Sequence, residues 1–296
     1  MTLFIGPSLL SGIGQMLFSY SKLFPGSAYM VLGEGEYIQN EDVFIFALPT
    51  PLWLSVIPTI MKTSRSFKCM TICETETVDE SYGYLFDQCS DIIVSSSFCK
   101  TIFERQFPGK VRCTVLRHTF PRPPLSSLLT LTNPYIFYHI GNIMDPRKNI
   151  VDLVNAFIEC DFGDKARLLL KATCKSDVQQ VNNSNINIVN GLLSLEDLEK
   201  IHEISHCYVT FSHSEGLGLG AIEAAIRGKP VIMSSYGASK EYVKTPYLVP
   251  CTSLVPVGQD DFLFKKDMLW GKHSKIHLIK YMKDAFSKKL TTMDHT

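Results

Sequence analysis

The stretch VTFSHSEGLGLGAIEAAIRGKPVIMSSYGASKEYV, residues 209–243, decides how the rest of this chain is read. An apolar strand ends at Phe211, a polar, glycine-rich turn covers 212–220, and an alanine-rich helix continues to Arg227, where Gly228 and Pro230 stop it. A strand, a glycine loop and a helix N-terminus make an anion site, because free backbone N–H groups and the positive end of the helix dipole point the same way. A phosphate fits such a place. Two acids, Glu215 and Glu223, bracket the turn with seven residues between them. Carboxylates beside a phosphate repel it, so their expected task is to accept hydrogen bonds from hydroxyls on either side. A nucleotide sugar carries such hydroxyls, the ribose before its diphosphate and the hexose after it. The spacing by itself also fits an ordinary helix with one solvent-facing and one N-terminal glutamate.

Glu215, Glu223, the glycines between them and the continuation GKPVIMSSYGASKEYV resemble the signature of retaining glycosyltransferases of family four. That resemblance implies an α/β chain of GT-B type: two Rossmann-like, doubly wound parallel-sheet domains, a ligand cleft between them, and a terminal helix crossing back to the first domain. It also implies donor contacts from the backbone of Gly216, Leu217, Gly218 and Leu219, with Glu215 on the sugar and Glu223 on the ribose.

The totals agree with two ordinary domains. A chain of 296 residues can bury two cores. Lys plus Arg equals Asp plus Glu at 29 each, so no global field favours nucleic acid, and any anion site is local. The cysteines at 69, 73, 89, 99, 113, 160, 174, 207 and 251 sit mostly in apolar runs without a C-x2-C pair. They read as reduced, buried small hydrophobes in a cytoplasmic protein, with no metal site. Residues 2–5 lead into a glycine loop and read as a first strand rather than a targeting signal. Residues 43–61 are uncharged but interrupted by Pro49, Pro51 and Pro58, which reads as a strand, a Thr50 cap and a helix opened by Pro51. Peripheral membrane contact stays open.

Continuous apolar runs at 2–5, 28–32, 43–48, 67–72, 91–96 and 111–116 read as strands covered on both faces. A second series lies at 135–140, 166–171, 186–189, 206–211, 230–234 and 247–249, beyond the Pro/Ser/Thr-rich linker HTFPRPPLSSLLTLTNP at 118–134. The expected division is an acceptor-side domain at 1–130, a donor-side domain at 131–272 and a returning helix at 273–296.

Ligands of doubly wound domains bind at the carboxyl ends of the strands, and each further motif falls there. GPSLLSGIGQ at 6–15 closes the first strand, where Gly12 and Gly14 allow close backbone approach to a ligand, and the family resemblance implies that this loop, with Gly14, reaches the donor phosphates or the acceptor. YHIGNIMDPRKNIVDLVNAF at 138–157 resembles the family's G-R-x5-K segment, which implies that Lys148 neutralises the donor diphosphate, while Asn142 stands at the arginine position. Arg147 is the rival cation; as neighbours at a helix start, the two side chains are expected to face different ways. Around 190–193 the resemblance implies backbone contacts to the nucleobase from Gly191 and Leu192, and Ser194 reads as a helix cap. Glu74 and Glu76 read equally as acceptor contacts, contacts to a basic partner, or a solvated loop. His118, His206 and His213 read as surface or capping residues, His213 being the one placed to line the cleft. The 273–290 segment is a lysine-rich amphipathic helix, a pattern also seen at membrane surfaces.

The leading expectation is a retaining, metal-independent glycosyltransferase moving a hexose from a nucleoside diphosphate sugar, without a cofactor, to a glycan, lipid or protein acceptor. Glu215 and Lys148 would carry catalysis. A non-catalytic nucleotide-sugar binding protein and a GT-B-type epimerase or phosphorylase are the alternatives.

Overall fold

The computed structural model describes residues 1–34, 39–117, 133–173, 181–290 and 292–293. Most of the expected linker, together with His118 and Cys174, lies outside them. By its contacts the chain divides into one unit of Met1–Thr119 with Pro256–Leu269, and a second of Phe120–Val255 with Trp270–Thr296.

In the first unit, β1 (Thr2–Gly6) leads to α1 (Gly12–Ser21), then β2 (Ala28–Val31), β3 (Asp42–Phe46), α2 (Pro51–Thr63), β4 (Ser66–Met70), α3 (Tyr82–Gln88), β5 (Asp91–Val94), α4 (Ser97–Gln106) and β6 (Arg112–Val115). The strands form one sheet in the order β2-β1-β3-β4-β5-β6, and every pair is parallel. Phe4 and Ile5 of β1 and Ile45 of β3 are fully covered, and Phe4 stacks on Phe44 at 5.1 Å. These are the continuous apolar runs, buried on both faces by helical crossovers. Pro51 opens α2 as expected, although the Thr50 side chain makes no capping bond.

The second unit repeats the plan. β7 (Tyr135–Gly141), α5 (Ile150–Cys160), β8 (Ala166–Ala172), β9 (Ile186–Val189), α6 (Leu195–Ile204), β10 (Cys207–Val209), α7 (Leu219–Ile226), β11 (Val231–Ser234) and β12 (Leu248–Val249) follow in turn. Their order is β12-β11-β10-β7-β8-β9, with parallel pairing. Ser194 caps α6 by accepting the Asp197 N–H at 3.0 Å. A two-stranded sheet of β13 (Cys251–Pro256) and β14 (Leu269–His273) was not expected from sequence, nor was the grouping of Pro256–Leu269 with the first unit.

The last helix, α8 (Lys275–Ser287), lays Leu278, Met282 and Ala285, all fully buried, into the second unit's core beside Leu153, Phe157 and Val249. Burying one such side chain is worth about 1.5–3 kcal/mol, so Leu278 and Met282 alone hold the helix to this face. Its lysines face outward because the apolar stripe is spent on α5 and the sheet.

Within that sheet β7 lies between β8 and β10. The chain builds β8 and β9 to one side of β7, then returns to build β10, β11 and β12 on the other. The loops leaving β7 and β10 therefore diverge at a topological switch point, where doubly wound sheets open a crevice. Those two loops carry Lys148 and Glu215.

Candidate functional site

The loop after β7 is shaped by its own side chains. Asp145 caps the 3-10 turn Pro146–Lys148 by accepting the Arg147 N–H at 2.9 Å, with Pro146 at the first position, where no N–H is needed. Asn149 follows at φ 51°, a left-handed break before α5. The turn therefore points its two cations by 3-10 geometry and not along a regular helix. The expectation that Arg147 and Lys148 diverge is wrong: both reach the same carboxylate.

That carboxylate is Glu215. Arg147 donates to its Oε2 at 3.0 Å, Lys148 to its Oε1 at 2.6 Å, and the Ser212 hydroxyl also to Oε1 at 2.7 Å. Burial works to raise the Glu215 pKa, but Lys148 and Arg147 outweigh it and hold the acid at about 2. The two cations differ in their remaining commitments. Arg147, 7% exposed, also donates to the Ser214 carbonyl at 2.8 Å and to Asp145 Oδ2 at 2.9 Å, and its own carbonyl accepts the His213 N–H at 2.7 Å. Lys148 makes its one side-chain hydrogen bond among the described residues to Glu215. Arg147 is part of the framework and Lys148 is the cation that can move.

A third loop, after β11, closes on Glu215 from behind. The Ala238 N–H donates to the Glu215 carbonyl at 2.7 Å, and Gly237 sits at φ 100° with its Cα against the same residue. A Cβ at Gly237 would lie 2.7 Å from the Glu215 nitrogen and from its carbonyl oxygen. Gly237→Ala is expected to cost about 1–3 kcal/mol through backbone strain, read as a lowered melting temperature, and to displace Glu215 as well.

Gly218, in the left-handed region at φ 83°, caps α7, and a Cβ there would meet Ser239 Oγ at 2.0 Å. The first intrahelical bonds come from the N–H groups of Ala221 and Ile222, both to the Gly218 carbonyl. The amides of Leu219 and Gly220 precede them at the positive end of the helix. Gly216 and Leu217 are buried in the same turn. Glu223 lies one turn into α7; burial raises its pKa, and its carboxylate makes no hydrogen bond among the described residues.

The other predicted residues fall in several places. Asn142 is exposed at the end of β7, and its side chain is folded into its own turn, accepting the Met144 N–H at 3.2 Å. Gly191, at φ 98°, and half-exposed Leu192 follow β9, where buried Lys171 donates to the Gly191 carbonyl at 2.6 Å. Gly14 belongs to the first unit; it is buried, and a Cβ there would lie 2.2 Å from the Ser8 carbonyl oxygen, so this glycine serves its own loop. Glu76 is paired with Arg105 at 2.6 Å, and Glu74 is half-buried in the same loop. His206 is buried, its Nδ1 accepting the Ile136 N–H at 2.9 Å, and His213 stacks on Trp270 with centroids 4.6 Å apart. Eight described cysteines are free, all but Cys251 buried.

Sequence reasoning missed Asp145, Ser212 and His139. The Asp145-Pro146 pair is a readable cap signal; Ser212 carried no pattern of its own. His139 is buried on β7, its Nδ1–H donating to the Val209 carbonyl at 3.0 Å. Burial and then Lys148 lower its pKa to about 4, so the ring is neutral. Among the described residues no group of three or more His, Cys, Asp or Glu side chains is placed to hold a metal ion, and no helix is long and apolar enough to cross a membrane.

Residues 129–261 match the family model described as Glycosyl transferases group 1. A probable sucrose-phosphate synthase 2 of Oryza sativa subsp. japonica is 28% identical over 146 residues, covering 42% of this chain and 14% of that protein. A glycosyltransferase from Rickettsia africae superimposes with a TM-score of 0.66 at 14% identity over 97% of this chain and 88% of that one. Anabaena Alr3699/HepE, solved with UDP and glucose, gives 0.62 at 13% identity over 98% and 91%. The chain spans half the length of the protein solved as the GtfA/B complex, with a TM-score of 0.54 at 16% identity over 84% of this chain. These likenesses give the fold: two Rossmann-like parallel sheets of GT-B type.

Proposed function

We propose that this chain, whose residues 129–261 match the model of Glycosyl transferases group 1, transfers a hexose, with retention and without a metal ion, from a nucleoside diphosphate sugar to an acceptor. The observation that carries this reading is the meeting of Lys148, Arg147 and Glu215 at the β7/β10 switch point, beside the glycine-capped start of α7. The diphosphate would lie between Lys148 and the Leu219 and Gly220 amides, which stabilise the negative charge that builds as the sugar bond breaks. These donors take the part a metal would otherwise play. Glu215 would face the sugar hydroxyls and Glu223 the ribose, whose hydroxyls supply the donors its carboxylate lacks. The acceptor is a glycan, lipid or protein, and the protein works in the cytoplasm.

UDP is the first probe to try, because solved structures of similar fold are described with it, among them a pneumococcal O-GlcNAc transferase GtfA bound to UDP and GlcNAc. Slow hydrolysis of a nucleotide sugar to free hexose is expected without acceptor and is expected to persist in EDTA. A pure binding protein would release no hexose at all. Loss of hydrolysis in EDTA, restored by magnesium or manganese, would show that a metal holds the diphosphate instead.

A further inference from the structure

We propose that Glu215 is the residue by which this site distinguishes a nucleotide sugar from a bare nucleoside diphosphate, because it withholds Lys148 until a sugar is present to replace it. The inference rests on the proposed reading of Lys148 as the diphosphate's cation and adds to it a competition between two anions. Lys148 lies 2.6 Å from Glu215 Oε1 and has no second side-chain hydrogen bond among the described residues. It cannot serve a diphosphate at full strength while it stays there.

When Lys148 leaves, Oε1 keeps only the Ser212 hydroxyl, and Arg147 remains on Oε2. Arg147 does not follow, since Asp145 and the Ser214 carbonyl anchor it. Glu215 is 9% exposed, so water makes up little of the loss, and a buried carboxylate deprived of a cation is costly. A hexose solves this: its hydroxyls donate to Oε1 as Lys148 turns to the phosphates, and every polar group stays paired. A bare diphosphate brings acceptors only. It must take Lys148 from Glu215 and give nothing back. The same imbalance returns once the sugar has been transferred, so Glu215 reclaims Lys148 and helps release the nucleoside diphosphate product.

The test is calorimetric titration of the full chain with UDP and UDP-glucose, and with the GDP and ADP counterparts if the uridine pair does not bind. Wild type is compared with Glu215→Gln, Ser212→Ala and Lys148→Ala. Glutamine keeps the shape but not the charge, so Glu215→Gln frees Lys148: UDP is expected to bind about tenfold tighter while UDP-glucose does not, and the preference for the sugar form shrinks by that factor. Ser212→Ala acts in the opposite direction, since Oε1 then depends more on Lys148; bare UDP weakens and the preference grows. The Glu215→Gln gain disappears when Lys148→Ala is added. Unchanged UDP affinity in Glu215→Gln, or equal shifts for both ligands, overturns the competition. Should Glu215→Gln fail to fold, Ser212→Ala carries the test alone, and a rise in bare UDP affinity there overturns it. If Lys148→Ala leaves UDP binding intact, or no nucleotide binds wild type, the underlying site assignment fails, a different outcome from failure of the competition.

Discussion

Lys148→Ala is expected to slow turnover by roughly two orders of magnitude while lowering the melting temperature less than loss of Arg147 does, because Arg147 and Ser212 stay on Glu215. A charge-assisted hydrogen bond in a partly desolvated site is worth on the order of 2 to 3 kcal/mol, and each 1.4 kcal/mol of transition-state stabilisation is a factor of about ten. The size of the effect follows from the position that resembles the family's arginine. It is Asn142 here, exposed and folded into its own turn, so no cation is supplied from the end of β7. Arg147 does not compensate, because its guanidinium is already engaged by Asp145, Ser214 and Glu215. On the proposed reading, the leaving group's developing charge would then fall to Lys148 and the start of α7. Single-turnover and steady-state rates of donor hydrolysis would measure this, and Lys148→Arg should recover part of the loss. Near-normal turnover in Lys148→Ala would remove the loop after β7 from the chemistry.

Most strands of the two main sheets were legible because a strand buried on both faces is a continuous apolar run, as at residues 2–5 and 135–140; β2, only half-covered, was read from its apolar residues alone. β13 escaped because it is largely exposed: CTSLVP carries no buried residue and reads as loop. The α8 helix shows a different limit. Its spacing read as an amphipathic helix with Ile276, Leu278, Ile279, Met282 and Phe286 on the apolar side; Leu278 and Met282 are fully buried but Ile276 is exposed, and periodicity says nothing of what covers a face. At the site, Glu215, Lys148 and the α7 glycines were visible as residue types at a strand end. Their pairing was not. Whether Arg147 turns inward depends on the Asp145 cap, the 3-10 turn and the left-handed Asn149, three local features whose sum is geometric. Gly237 was read as part of a motif, whereas its reason is steric: the backbone of Glu215 occupies the place of its side chain.

Arg147→Met is expected to destabilise the fold rather than tune the reaction, and it separates the two neighbouring cations more sharply than any kinetic measurement. Methionine fills much of the volume but leaves Asp145 Oδ2 and the Ser214 carbonyl without the guanidinium donor and strips one cation from buried Glu215. Breaking a buried, hydrogen-bonded ion pair from one side costs about 3–5 kcal/mol. At roughly 2–4 °C per kcal/mol for a unit of 150–250 residues, the melting temperature should fall by about 6–20 °C. The pH dependence gives a second reading with a definite sign. Glu215 is held at about 2 against an ordinary 4.5, so the stability it contributes is fully present above pH 4.5 and is lost as the pH falls toward 2. Without Arg147 the folded-state value moves upward and the window narrows, so the variant should lose less of its remaining stability between pH 4.5 and 2 than wild type does. Lys148→Ala narrows the same window but keeps the Arg147 anchors, and its melting temperature at neutral pH should stay well above that of Arg147→Met. Equal melting temperatures for the two variants would mean that Arg147 is as dispensable to the framework as Lys148, and the division of labour drawn from their hydrogen bonds would be wrong.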